Sequence, residues 1–276
     1  MGVLASSTGG WRCRCLAFAV ATAIVWGQTA AGADADAARP DFTGVWGTFR
    51  SGQPAGGPAR RPPGFAMQPL PFTPEGKRRS EEYQKLVGPE QANPAAYCTD
   101  YGMPTMMEAA GGYPIEFIQK PDQLTIIYEV EGETRRIYLG GRGVPKEKRL
   151  VTRDGYSTGH WEGDTLVVET TDLADGQDQR HPHSDQATIL ERFSLSHDPA
   201  GNKVMAYSAV MTDPVYYTEP IRIEKKFSPT TDGYIMTYRC PDEFWNALLD
   251  ARRAQLKQGK PVTARMSDVY REYESK

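Results

Sequence analysis

A mostly β, antiparallel barrel is what this chain predicts, and three observations predict it. Short runs of alternating apolar and polar residues recur from residue 115 to residue 227, punctuated by Gly, Pro and Asp turns. The connections between these runs read as short, whereas parallel sheets require long crossovers. Helical periodicity is confined to two segments, one before the strands and one after them.

The N-terminus reads as a leader. Arg12 and Arg14 precede an uncharged, almost wholly apolar run over 15–27, and Ala31-Gly32-Ala33 offers small residues for cleavage before Asp34 and Asp36. The run is shorter than the roughly 20 apolar residues of a membrane span. Residues 1–33 are therefore expected to be a cleavable signal peptide of a periplasmic or secreted protein, leaving no membrane span. Removing Arg12 and Arg14 takes the net charge from −3 to −5, with both signs interspersed, which argues against nucleic acid as a partner. Cys98 and Cys240 remain as an even pair in an oxidising compartment and are expected to form a disulfide. Closing so long a loop contributes up to about 4 to 5 kcal/mol on chain-entropy grounds.

Residues 34–71 read as an irregular N-terminal segment rich in Ala, Gly, Pro and Arg, with one short strand over 42–49 that carries Val45 and Trp46. Residues 72–276 read as the main β domain, against which that strand packs. Thr73, Pro74 and Glu75 supply an N-cap, a proline at the first helical position and an acidic first turn for a helix to about Val87.

Strands follow over 115–118, 124–130 and 135–139, with Glu131-Gly132 as a hairpin turn. That turn places Leu124, Ile126, Tyr128 and Val130 on one face with Arg135, Ile137 and Leu139, and leaves Arg136, Tyr138 and Ile127 on the other. A second hairpin spans 158–171 around Gly163-Asp164. Trp161, Leu166 and Val168 share one face, and His160, Val167 and Glu169 the other, with His160 diagonal to Glu169 at roughly 7 to 8 Å. Further strands are expected over 188–195, 204–211, 221–227 and 234–239. A helix over 242–257 closes the chain, with Phe244, Leu248, Leu249 and Leu256 as a docking stripe. The count suits a lipocalin-like (calycin) up-and-down barrel able to hold one small ligand, with a two-sheet β-sandwich as the alternative.

All four histidines fall at 160, 181, 183 and 197. In an extended segment His181 and His183 project to one side, and with Asp185 they could ligate a metal, though two histidines on a polar loop are more often solvated. The other reading is acid–base chemistry with His183 as base and Asp185 as its orienting partner. Glu191 falls on an apolar strand face with Ile189, Phe193 and Leu195, so it is either a perturbed acid or one half of an internal ion pair with Arg136 or Arg222. His160 is a second candidate acid, beside Glu169. The segment 213–220 breaks a strand with two prolines and offers Asp213 and Tyr217 at a barrel mouth.

The runs Gly159-His-Trp-Glu-Gly-Asp-Thr-Leu-Val-Val-Glu-Thr170, Pro182-His-Ser-Asp185, Glu191-Arg-Phe193, and Asp213-Pro214 with Tyr217-Thr218 resemble an uncharacterised family of exported bacterial proteins. The resemblance extends from about Phe42 through Cys240 and includes Cys98-Thr-Asp-Tyr-Gly-Met-Pro104. It implies a shared fold and a shared Pro-His-Ser-Asp site, and brings no substrate or mechanism. His181 lies outside the pattern, which weakens the metal reading.

The expected function is an exported small-molecule enzyme of lyase, isomerase or hydrolase type acting on a partly apolar ligand. His183, Asp185, Glu191 and His160 are the candidate catalytic groups, and Tyr217, Arg136, Asp213 and Glu169 the candidate substrate contacts. No organic cofactor or metal is expected. The alternative is a periplasmic binding or carrier protein without catalysis.

Overall fold

Nine strands close on themselves in sequence order, β1 (Gly44–Thr48), β2 (Ile115–Lys120), β3 (Gln123–Tyr128), β4 (Thr134–Leu139), β5 (Tyr156–Glu162), β6 (Thr165–Thr171), β7 (Thr188–His197), β8 (Lys203–Thr212) and β9 (Ile221–Pro229). The computed structural model describes residues 39–49, 69–87, 99–110, 112–177, 180–238, 240–265 and 268, within the compact unit Arg39–Lys276. The expected signal peptide and Cys98 lie outside the described residues, as do residues 50–68. Among the described residues no helix is long and apolar enough to cross a membrane.

The barrel fold is as expected, and the sandwich alternative falls away because β1 seals both edges. On one side Gly44, Val45 and Trp46 face Phe117, Glu116 and Ile115 of β2, and on the other Trp46, Gly47 and Thr48 face Pro229, Ser228 and Phe227 of β9. Closure removes the exposed ladder edges that an open sheet would leave. It also explains why the strand expected over 234–239 is missing: residues 234–238 form no strand, since β1 already occupies the edge of β9 that it would need.

A second correction concerns direction. Every neighbouring pair is antiparallel except β4 and β5, which run parallel with Ile137, Tyr138 and Leu139 beside Ser157, Thr158 and Gly159. Parallel strands need a long connection, and residues 140–155 supply one, carrying a 3-10 turn at Lys146–Lys148 and exposed Leu150 and Val151.

Strand faces follow the alternation. The β3–β4 turn is a 3-10 turn over Val130–Gly132, and Ile126 pairs with Arg135. This register differs by two residues from the one a simple two-residue loop would give. A shift of two preserves the side-chain period, so the faces stay as expected: Leu124, Ile126 and Tyr128 point inward with Arg135, Ile137 and Leu139. The β5–β6 hairpin has the expected register, with Glu162 opposite Thr165. Phe117, Leu166, Ile189, Phe193, Met205, Tyr207 and Phe227 fill the interior.

Among the described residues, three α-helices accompany the barrel. In α1 (Pro74–Val87), Thr73 caps the N-terminus through Gly76 N at 3.0 Å and fixes the helix to the β8–β9 connection by donating to Val215 O and, through its own amide, to Tyr216 O. The short α2 (Thr105–Ala109) adds Met106 and Met107 to the core, and Lys225 donates to the Glu108 and Ala110 carbonyls at its C-terminus. In α3 (Cys240–Lys257), Leu248 is buried while Leu256 is 63 % exposed, so the expected docking stripe is shorter than the helix.

Trp46 is the keystone of closure, with its ring in the core and its Nε1 donating to Phe42 O at 2.8 Å. Trp46→Ala should lower the unfolding free energy by about 3 to 5 kcal/mol, whereas Leu190→Ala on the outer face should change it by less than about 1 kcal/mol, both read by urea denaturation.

Candidate functional site

Five consecutive strands each point one polar side chain into the barrel: Arg135 from β4, Ser157 from β5, Thr170 from β6, Glu191 from β7 and Tyr207 from β8. Arg135 and Glu191 are 2 % and 0 % exposed and form a bidentate pair: Nη1 donates to Oε1 at 2.9 Å and Nη2 to Oε2. Arg135 also donates to Ser157 Oγ at 3.1 and 2.9 Å and to Thr170 Oγ1 at 2.8 Å. Tyr207 donates to Glu191 Oε1 at 3.1 Å. Burial alone would favour the neutral guanidine, but the adjacent Glu191 carboxylate outweighs it and holds Arg135 charged. Glu191 thus belongs to an internal ion pair, and its partner is Arg135. Arg136 and Arg222, the partners expected from the sequence, are both exposed on the outer face.

A cleft of about 480 Å³ opens where β4 meets β5. Arg135 and Ser157 line it, so it adjoins the interior network. Arg136, Tyr138 and Tyr156 form further walls, together with Asp100, Glu133, Arg153 and Asp154. Tyr138 and Tyr156 stack at 5.2 Å between ring centres, and Arg149 lies 4.2 Å from the Tyr156 ring. Arg153 Nε donates to Asp100 O at 2.8 Å. Burial is the main cause that pushes Asp154 up to about 7, and the neighbouring Glu133 and Asp100 carboxylates add to it against the pull of Arg135. Glu131, at φ +62° in the β3–β4 turn, is likewise pushed up to about 7 by burial and by Asp100.

The Pro-His-Ser-Asp segment folds into a closed knot. His183 is fully buried, with Nδ1 3.1 Å from Ser184 O and Nε2 3.0 Å from Met103 O. Its backbone bridges to Gly176 in both directions at 3.0 Å. Burial pushes its imidazole below the ordinary value, opposed by those two carbonyls and by Asp213 and Asp175. Asp213 accepts from Ser184 N at 2.6 Å, Ser184 Oγ at 2.9 Å and Val215 N at 2.9 Å, and Tyr217 donates to Pro182 O.

The structure therefore gathers His183, Asp213 and Tyr217 in one place and sets the other sequence candidates apart. Asp185 is exposed, and the carboxylate bonded to this segment is that of Asp213. His160 and Glu169 lie exposed on the outer face, where His160 Nε2 meets Glu162 at 3.4 Å. His181 pairs with Glu108 at 3.3 Å, and among the described residues no group of three or more His, Cys, Asp or Glu side chains converges as a metal site. Arg136 is the one expected substrate contact that lines the cleft. Sequence reasoning passed over Asp154, Glu133 and Asp100. Asp154-Gly155 is an ordinary turn dipeptide, and nothing local marks its carboxyl as buried.

No protein-family model matches this chain, and neither does any curated protein or solved structure.

Removing one partner of a buried pair strands the other charge. Glu191→Gln should cost about 3 to 5 kcal/mol in chemical denaturation, and Arg135→Met combined with Glu191→Leu should recover most of that loss. Asp154 has a folded-state value of about 7, raised above its ordinary 3.8, so its contribution is complete at acid pH and is lost as pH climbs through about 7. Asp154→Asn should thus gain stability relative to wild type between pH 4 and pH 8 in paired thermal melts across that range.

Proposed function

We propose that this chain is an exported enzyme that moves a proton on a small polar molecule, by lyase, isomerase or hydrolase chemistry, in the cleft at the β4–β5 join. Asp154 is the proton carrier, Glu133 is the neighbouring carboxylate that helps to favour its protonated form, and Arg136 and Tyr138 contact the substrate. The observation that carries this reading is the position of Asp154, whose carboxyl lines a cleft and is pushed up to about 7. An acid–base group works best when its value lies near the working pH, and such groups contribute about 10²- to 10⁴-fold to rate.

This assignment moves the proton role away from His183. Both of its ring nitrogens face backbone carbonyls and the ring is fully buried, so it lacks access to a substrate. Its position suits a residue that locks the 99–110 segment onto the loop before β7. Export is supported by the leader pattern of residues 12–33, and kinship with exported bacterial proteins by the Pro-His-Ser-Asp and Glu-Arg-Phe runs.

A carrier without catalysis is the second reading, favoured by the stacked Tyr138–Tyr156 pair, which offers binding surface and no reactive group. Native mass spectrometry of protein purified from its host should identify a retained small molecule. Fresh wild-type protein incubated with that molecule should convert it, and Asp154→Asn should lose at least about 100-fold in kcat while its Kd stays within about threefold. Retention with no conversion by wild type would establish the carrier instead.

A further inference from the structure

The crossover between β4 and β5 leaves aliphatic side chains in water. Leu150 is 76 % exposed, Val151 63 % and Val144 42 %, so three large apolar residues are solvent-facing within one short segment. Gly140 and Gly141, both at positive φ and with open space around them, carry the chain off the end of β4. From there to residue 151 it pairs with no strand. Single exposed aliphatics are ordinary on a protein surface, but a group of them rimmed by polar side chains marks a contact site.

The same segment is cationic. Arg142, Lys146, Lys148 and Arg149 stand against Glu147, in a chain whose formal charge is −3. Two acids temper it: Asp122 sits 3.1 Å from Arg142, and Asp172 3.6 Å from Arg149. One more cation, exposed Lys120, comes from the β2–β3 turn, where its partner Gln123 pairs in turn with Tyr138 just before the crossover. Five cations against three acids leave +2. Lys146 and Lys148 are exposed and, among the described residues, pair with no carboxylate. The adjoining cleft does not cancel this charge, because its lining sets Arg135, Arg136 and Arg153 against Asp100, Glu133 and Asp154. Exposed apolar residues elsewhere have acidic neighbours instead: Leu190 pairs with Glu169 across the sheet, and Met236 N donates to Glu129 Oε2.

We infer that the crossover docks this protein on an anionic phospholipid bilayer, with Leu150, Val151 and Val144 entering the boundary between headgroups and acyl chains and Lys146, Lys148 and Arg149 meeting the phosphates. Shallow aliphatic insertion beside cations is how peripheral proteins hold to an anionic interface. Long basic side chains can lie along the apolar boundary and keep their charged ends among the headgroups. A protein partner fits this surface less well, since three aliphatic side chains fall far short of the roughly 1,000 Å² that a specific interface buries. A fluid headgroup layer asks for no shape match. Arg149 also covers Tyr156 on the cleft wall, so docking sets the cleft beside the bilayer, and it does so whether or not the cleft is catalytic.

Vesicle flotation tests the inference on protein purified from its host. Vesicles of phosphatidylcholine with about 30 mol % phosphatidylglycerol should bind it at least about tenfold more tightly than phosphatidylcholine alone. Raising sodium chloride to about 0.5 M should remove most of that binding by screening the charges. Leu150→Asp with Val151→Asp, and separately Lys146→Glu with Lys148→Glu, should each weaken it at least about tenfold. All four side chains are exposed, so these variants should fold, and thermal melts check that they do. Leu256→Asp, at an exposed position of α3, should bind like wild type. Leu150→Trp should gain a blue shift in emission, relative to wild type, when anionic vesicles are added. Equal binding to both kinds of vesicle, retained binding in the Leu150 and Val151 variant, or an unshifted emission overturns the inference. So does self-association that the Leu150 and Val151 change abolishes while vesicles go unbound, which would assign the surface to a second copy of this chain.

Discussion

The interior of this barrel is organised around one buried ion pair. Arg135 and Glu191 stand 56 residues apart in sequence and three strands apart in the sheet, and their bidentate contact is buttressed by Ser157, Thr170 and Tyr207. Such pairs contribute little to net stability compared with a well-packed apolar substitute, because desolvating two charges offsets most of their attraction. What they do impose is geometry. A strand displaced by one residue would turn Arg135 or Glu191 outward and leave the other charge buried alone, so the pair penalises a one-residue register slip from β4 through β7. The parallel β4–β5 join, which has only three paired positions, is the place where that penalty matters most.

The same pair supports the cleft. Arg135 lines the cavity while its guanidinium is held charged by Glu191, and its field pulls Asp154 toward ionisation even as burial, Glu133 and Asp100 push the other way. The near-neutral carboxyl is the balance of these opposing effects. A shorter reach between Arg135 and Asp154, or a more open cleft, would return it to the ordinary carboxylate range. The His183 knot works differently: it spends a histidine, a serine and an aspartate on fastening three loops, and the result is a closed, saturated set of hydrogen bonds with no face turned to a substrate.

Much of the architecture could be read from alternation alone. Strand faces depend on parity, so the misjudged β3–β4 register left every inward residue of that hairpin unchanged, and Arg135 already stood on the apolar face beside Ile137 and Leu139. Its pairing with Glu191 is not legible in the same way, and alternation offers Arg136 or Arg222 instead, since a contact across the two intervening strands β5 and β6 leaves no local trace. The parallel join was hidden for a related reason. Residues 140–155 carry neither helical nor strand periodicity, and a crossover without secondary structure looks like any loop. The cleft was harder still, because Asp100, Glu133 and Asp154 come from three separate segments and acquire their chemistry only from mutual proximity and shielding. The histidines drew notice through residue type, while the carboxyls that occupy the cavity are of the commonest kind on any surface.

The crossover between β4 and β5 gives the fold an unusual division of labour. Its exposed middle, over 143–151, makes no strand pairing with the barrel, yet Val144 N reaches Tyr156 Oη and Arg149 covers the Tyr156 ring on the wall of the cleft. Length and composition can therefore drift in that segment without disturbing a single ladder bond. Related chains could exchange one crossover for another and acquire a new ligand preference on an unaltered barrel, which makes this stretch the natural place for diversification in evolution and for grafted loops in the laboratory.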